Sequence, residues 1–287
     1  MDQITSPRLT DLKLFINRAL DEDAGKLGDV TSLATVAADQ KSVAHFLVKE
    51  DCFLAGVALV EAIALEVDPN LEPVFLVRDG DLVSKNQKIG TLTGNTRSIL
   101  LAERLMLNCM QRMSGIATKV NRLKELIKEY PAVILDTRKT TPNFRFAEKW
   151  AVQIGGGMNH RFGLYDMILI KDNHIKASGS ITKALSSTQD YCREHKLNLP
   201  VLVEVKTREE LLEALTADWV TRILLDNMSP STVSEMVKLT QKRKPLEVSG
   251  GINERNIQEY AATGVDFISI GDLTHHIESV DISLKIE

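Results

Sequence analysis

Cysteine is scarce in this chain. Cys52, Cys109 and Cys192 are the whole set, far apart and in no CxxC or Cys/His ligand spacing. That excludes a disulfide scaffold and a thiolate metal site, and the three thiols read as buried small hydrophobes of a reducing compartment. Long apolar runs are missing too: the greasiest stretch, Phe53 to Val67, is interrupted by Glu61 and Glu66, so no membrane span is expected. The opening Met1-Asp2-Gln3-Ile4-Thr5-Ser6-Pro7 has neither the basic nor the apolar region of a secretory signal. The expectation is a cytoplasmic protein. Basic tracts are equally rare. Beyond Lys242-Arg243-Lys244, which reads as a solvated helix end, nothing in a chain of net charge −4 supports nucleic-acid binding.

What is present is a chain of 287 residues, 44% apolar and 26% charged, long enough for one large domain or two ordinary ones. Its charge is unevenly placed. Between Asp136 and Lys176 stand seven Lys or Arg against four Asp or Glu, with His160 and His174 besides. That segment is net +3 in a chain of net −4, so cations gathered in one short region of an acidic protein point to a local anion site.

The first part of the chain reads as α+β. Leu12, Phe15, Ile16, Ala19 and Leu20 fall at helical spacing, with Thr10 or Ser6 as candidate caps. Asp21 to Ser32 then reads as a capped turn, its adjacent acids being poor calcium ligands. Ser42–Val48 alternates as a strand, Gly56–Val67 reads as a helix, and Pro73–Val77 and Gln87–Leu92 read as strands, with turns at Asp79-Gly80-Asp81 and Gly94-Asn95. A long helix is expected from Arg97 to Ile127, interrupted at Ser114-Gly115, with Glu103, Arg104 and Asn108 on a solvated face.

From Ala132 onward, apolar strands ending in polar or glycine-rich residues alternate with helical stretches: Val133–Leu135, Met167–Ile170, Val201–Val205, Ile223–Leu225, Leu246–Val248 and Phe267–Ile270. Helix starts follow at Ser178 or Ser180, Thr207, Ser229-Pro230 and Asn253. Every strand contributes a polar carboxyl end, which favours an α/β barrel over an open sheet whose ligands gather at one switch point. The strictly alternating Val280–Glu287 reads as a last strand that leaves the barrel and pairs with the first domain.

The strand ends supply three kinds of chemistry. Arg138 and Arg161 can present planar forks to carboxylates, and Lys139 and Lys171 act as point charges suited to phosphates. Glu204 and Asp226, at neighbouring strand ends, could hold magnesium or ribose hydroxyls. Ser249-Gly250-Gly251 and Gly271-Asp272 could cradle a phosphate on their backbone N–H groups.

These residues carry a resemblance. Asp136-Thr137-Arg138-Lys139-Thr140-Thr141-Pro142, Gly155-Gly156-Gly157 with Asn159-His160-Arg161, Ile170-Lys171-Asp172-Asn173-His174, Leu225-Asp226-Asn227-Met228, Ser249-Gly250-Gly251-Ile252 and Ile270-Gly271-Asp272-Leu273-Thr274-His275 resemble quinolinate phosphoribosyltransferase, the decarboxylating nicotinate-nucleotide pyrophosphorylase. The resemblance covers nearly the whole chain, including Glu22-Asp23, Glu103-Arg104 and Leu107-Asn108.

The resemblance implies an α+β sandwich domain over 1–115, joined by the tail 276–287, and an incomplete, TIM-like α/β barrel over 116–275. It implies a homodimer, or a hexamer of dimers, in which Arg104 enters the neighbouring subunit's site. Arg104, Arg138, His160 and Arg161 would bind the quinolinate carboxylates. Lys139 and Lys171 would meet carboxylate and pyrophosphate charge, Glu204 and Asp226 the ribose hydroxyls and Mg2+, and Ser249, Gly250 and Gly271 the 5-phosphate of the co-substrate, phosphoribosyl pyrophosphate (PRPP). Asp272 and His276 depart from the small residue and the serine common at those places. Rival readings are a Schiff-base lyase using Lys171, and a non-catalytic, nicotinate-using or molybdenum-transport-associated relative of the same fold.

Overall fold

The computed structural model describes residues 9–287. In chain order the elements are α1 (Leu9–Ala24), α2 (Val30–Thr35), β1 (Lys41–Val48), β2 (Cys52–Phe53), α3 (Val57–Val67), β3 (Glu72–Phe75), β4 (Leu82–Val83), β5 (Lys88–Asn95) and α4 (Thr96–Leu126). Then come β6 (Val133–Leu135), α5 (Arg145–Ile154), β7 (Ile168–Ile170), α6 (Asp172–Ser178), α7 (Ile181–Glu194), β8 (Val201–Val205), α8 (Arg208–Ala214) and β9 (Arg222–Asp226). The chain closes with α9 (Pro230–Thr240), β10 (Leu246–Ser249), α10 (Ile257–Ala261), β11 (Phe267–Ser269), α11 (Asp272–His275) and β12 (Ile282–Ile286). Two compact units result: residues up to Asn121 with Thr140–Gly156 and Leu273–Glu287, and Arg122–Lys139 with Gly157–Asp272.

In the first unit an antiparallel sheet has the order β12-β1-β5-β3, so the alternating tail lies along β1, with Phe46 opposite Leu284. Phe46 and Val48 are fully buried on one face of β1, as a period-2 strand with one packed face requires. Several local expectations change. Helix α4 runs through Ser114-Gly115 without interruption. The Ser114 hydroxyl accepts from Ala55 N at 3.0 Å and donates to Ala55 O at 3.1 Å, so it satisfies a neighbouring segment without unwinding its own helix. Gly115 gives room to the Glu278 carbonyl, which any Cβ would overlap. Gly94 and Asn95 end β5 and form no separate turn; Asn95 Oδ1 accepts from Arg97 N at 2.9 Å and caps the start of α4.

Thr10 lies inside α1 and is not its cap, and Ser6 lies outside the described residues. The capped turn at Asp29 opens a helix, α2, that periodicity missed; Asp29 Oδ1 accepts from Ser32 N at 3.1 Å. Burial pushes the Cys109 thiol up to about 12 and the Cys52 thiol to about 11, so both are inert at neutral pH. Cys192 is only partly buried, against expectation.

The second unit holds one parallel sheet in the order β6-β11-β10-β9-β8-β7, the succession of a barrel opened between its first two strands. Met158 partly fills the opening: its N donates to Ile134 O at 2.9 Å and its O accepts from Asp136 N at 3.2 Å, a parallel bridge on the free edge of β6. Among the described residues no ladder joins that segment to β7, and Arg161 Nη1 instead donates to Met167 O at 3.2 Å. The barrel is incomplete. Met167, Leu202 and Leu224, with Leu169 packed against them, form an apolar cluster in this unit. Thr207, Ser180 and Ser229 cap α8, α7 and α9 as read from sequence. Asn253 does not cap α10; its Oδ1 accepts from Arg255 N at 2.9 Å in the preceding turn.

Candidate active site

Of the residues given substrate or metal roles from sequence, all but Arg104 lie in the second unit; most sit at or just past the carboxyl ends of its strands, whereas His160 and Arg161 lie in the connection from α5 to β7. The parallel sheet dictates this, because every β-to-α connection leaves the same rim. After β6 the chain carries Arg138 and Lys139, the latter exposed with its N donating to Thr137 Oγ1 at 3.0 Å. Arg138 Nε is buried with no hydrogen-bond partner. The Arg161 guanidinium is held below its ordinary value by burial first and by the like charge of Arg138 second, with Asp166 opposing. Two part-buried guanidiniums close enough to feel one another's charge, one with an orphan donor, form a site for an anion with more than one acceptor group. Asp166 shapes the loop between them and β7, accepting from Phe162 N at 2.6 Å and Gly163 N at 2.8 Å.

His160 is placed differently from its neighbours. Its side chain is 8% exposed, Nε2 lies 3.3 Å from Glu247 Oε1, and Nδ1 accepts from Arg161 N at 2.7 Å. Both ring nitrogens are thus engaged within the protein. His174 also acts locally: its Nδ1 accepts from Lys171 N at 2.9 Å at the start of α6.

A second cluster gathers at the ends of β7, β8 and β9. Glu204 is 7% exposed. Burial first, and the charge of Asp226 next, raise its carboxyl above the ordinary value, with Asp172 adding to the rise and Lys171 and Lys206 opposing it. Lys206 Nζ lies 2.8 Å from Asp172 Oδ2 and 4.0 Å from Asp226 Oδ2. Ser249 Oγ donates to Asp226 Oδ1 at 3.1 Å, and Asn227 Nδ2 donates to Asp226 Oδ2 at 2.9 Å. Ser249 is therefore tied to the acidic pair.

Gly250 follows with φ +103°, where a Cβ would lie 2.6 Å from Asn227 Cγ and 3.0 Å from its Cα, so only glycine fits. Gly271 sits between β11 and α11. Among the described residues no group of three or more His, Cys, Asp and Glu could hold a metal. Two neighbouring carboxylates, Glu204 and Asp226, suit magnesium shared with a substrate's phosphate oxygens, its usual mode of binding, better than a closed protein cage.

Family models of the quinolinate phosphoribosyl transferase N-terminal and C-terminal domains match residues 29–114 and 116–285. The chain belongs to the quinolinate phosphoribosyltransferase family. It is similar to the mitochondrial quinolinate phosphoribosyltransferase [decarboxylating] 2b of Nicotiana tabacum, at 48% identity over 96% of this chain and 82% of that one. It is similar to the probable nicotinate-nucleotide pyrophosphorylase of Bacillus subtilis, at 40% identity over 96% and 93%. The solved nicotinate-nucleotide pyrophosphorylase of Francisella tularensis matches with TM-score 0.92 and 39% identity, over all of both chains.

Within this family framework three residues escaped the sequence reading. Glu247 lies inside a run that reads as an apolar strand and Arg222 just before another, yet they form a buried ion pair at 2.8 Å. The signal was available, since an acid flanked by Leu246 and Val248 on an alternating strand shares a face with the strand-end Ser249. Lys206, one residue past β8, is the third, its ammonium lying 2.8 Å from Asp172 and 4.0 Å from Asp226. Arg104, in the first unit, has a side chain 69% exposed, with Nη2 3.2 Å from Glu103 Oε1.

Proposed function

We propose that this protein is a quinolinate phosphoribosyltransferase: it joins quinolinate to PRPP and yields nicotinate mononucleotide, pyrophosphate and CO2, a step of NAD biosynthesis. The observation that carries the substrate assignment is the buried, unpartnered Arg138 Nε, with the part-buried Arg161 guanidinium near enough to feel its charge. A pyridine dicarboxylate offers four oxygens to such donors. Arg104, from a neighbouring subunit, completes the set, and His160 stands beside Arg161. Lys139 and Lys171 supply ammonium charge for a carboxylate and for the pyrophosphate, and Ser249, Gly250 and Gly271 line the 5-phosphate end.

The chain's residues bind and orient more than they move protons. The arginines fix the ring so that its nitrogen faces the ribose C1, and Lys139 and Lys171 stabilise the charge that develops as the C1–O bond breaks. Glu204 and Asp226 hold the ribose hydroxyls and would hold a magnesium ion, which would supply charge neutralisation for the departing pyrophosphate. N-ribosylation leaves the ring cationic. Its 2-carboxylate then leaves as CO2, the C–C pair passes to the ring carbon, and a proton from solvent replaces it. Tight ion pairing at that carboxylate would oppose the step, so desolvation and the ring cation drive it. No strong general base is required.

Among the described residues no helix is long and apolar enough to cross a membrane, and free Cys52, Cys109 and Cys192 fit the reducing cytoplasm. The deciding assay mixes the protein with quinolinate, PRPP and magnesium and detects nicotinate mononucleotide together with CO2. Folded protein that forms neither refutes the assignment.

A further inference from the structure

A buried line of polar contacts runs behind the anion site of the second unit, and three of its members, Arg222, Glu247 and Ser269, have no part in the reaction outlined above. Arg222 Nη1 donates to Glu247 Oε2 at 2.8 Å, and Arg222 Cζ lies 3.9 Å from the Phe267 ring centroid. Ser269 Oγ donates to the other carboxylate oxygen, Oε1, and His160 Nε2 lies 3.3 Å from that same oxygen. The Glu247 side chain is 1% exposed. On the far side of the imidazole, Nδ1 accepts from Arg161 N at 2.7 Å, and His160 N donates to Asp136 Oδ1 at 2.8 Å.

Nδ1 is the deciding atom. An imidazole nitrogen that accepts from a backbone N–H carries no proton, so the ring's proton sits on Nε2, facing the carboxylate. The ring is then neutral.

We infer that Glu247 is a positioning residue of the anion site: it holds His160 as the neutral Nε2–H tautomer, and through the Nδ1 contact it fixes the backbone from which the Arg161 guanidinium extends. This rests on the quinolinate reading of the Arg138–Arg161 place and deepens it. Arg161 is pinned at its other end by Met167 O at 3.2 Å, so backbone and guanidinium are both set before substrate arrives. His160 contributes direction and not charge, and the cations that meet the dianion from this unit are Arg138, Lys139, Arg161 and Lys171. Fixing a substrate-binding group in advance is where a small displacement is expensive in rate and affinity.

Two measurements test this. Ring nitrogen NMR of histidine-labelled wild-type protein, with His160→Gln used only to assign the resonance, should show His160 neutral and protonated at Nε2 at pH 7. An imidazolium or an Nδ1–H tautomer overturns the inference whatever any variant does. Glu247→Gln keeps an acceptor oxygen but loses the charge, and it should raise the quinolinate KM roughly tenfold while the PRPP KM moves less than about threefold. A fall in kcat with both KM values unchanged marks a merely structural role and overturns the inference. Calorimetric binding of quinolinate to the wild-type protein separates the two layers: no binding refutes the substrate reading while leaving the tautomer result standing on its own.

Discussion

Lys206 donates to Asp172 at 2.8 Å, and the same ammonium stands 4.0 Å from Asp226. The hydrogen bond to Asp172 first, and the charges of Asp172, Glu204 and Asp226 next, hold Lys206 above its ordinary value. A resident cation thus lies beside the carboxylate pair proposed for magnesium. Lys206→Met removes that competitor and should lower the magnesium concentration for half-maximal activity by roughly two- to fivefold. Mn2+ titration followed by electron paramagnetic resonance should show the same direction without substrate turnover. Weaker or unchanged metal binding in the variant contradicts the competition.

Glu204 gives a pH dependence whose sign can be worked out. Its carboxyl is raised, by burial and then by Asp226, so it keeps its proton to a higher pH than an ordinary glutamate. Activity that needs the ionised form falls as pH drops through that raised value. Asp226→Asn removes a like charge and should shift the Glu204 titration to lower pH. Carboxyl carbon NMR of the substrate-free protein reads the shift directly, and movement to higher pH would sink the electrostatic picture.

Arg138 separates fork geometry from charge. Its buried, unpartnered Nε is a donor that lysine cannot place in the same plane. Arg138→Lys should therefore raise the quinolinate KM by about 10- to 100-fold, close to the effect of Arg138→Ala. A lysine variant that binds quinolinate like the wild type would show that charge alone suffices.

Much of this was legible in the sequence because it rests on local chemistry. Strand ends such as Asp136, Lys171 and Asp226 follow apolar β-runs, and caps such as Thr207, Ser180 and Ser229 fall where helices begin. What escaped depends on partners far along the chain. Ser114-Gly115 reads as a break, yet Ala55 and Glu278 supply the reasons for a hydroxyl and a missing Cβ there. Glu247 hides in a β-run and Arg222 just ahead of one, because burying both charges needs a partner 25 residues away. That Met158 extends the open edge of β6 depends on a bridge no periodicity announces.

That buried pair has a stability signature. Burial pushes the Glu247 carboxyl up, but the hydrogen bond from His160, the charge of Arg222 and the hydrogen bond from Ser269 act against it and hold the group below its ordinary value. A carboxyl depressed in the folded state adds stability above its unfolded value, and this is lost as pH falls through the folded value. Glu247→Ala strands Arg222 and should cost roughly 3–5 kcal/mol in urea unfolding near neutral pH. The difference from wild type should shrink on acidification below the ordinary glutamate range. A difference that grows there instead would mean the pair is not the source.

Arg104 carries the last prediction. On α4, Ile99, Ala102, Met106 and Leu107 are buried, whereas the Arg104 side chain is 69% exposed beside Glu103. A solvated helix face would look the same, so exposure alone decides nothing. Function can decide. If Arg104 completes a neighbour's site, Arg104→Ala and Arg138→Ala should each be nearly inactive, yet a mixture allowed to exchange subunits should recover activity. In a mixed dimer one site collects both defects and the other collects neither, so equal mixing restores about a quarter of wild-type activity for an isologous dimer. If both arginines serve the same subunit's site, every site in the mixture stays defective. If Arg104 is only a surface residue, its alanine variant keeps wild-type quinolinate kinetics before any mixing is done. The three outcomes are distinct, and only recovery on mixing supports the shared site.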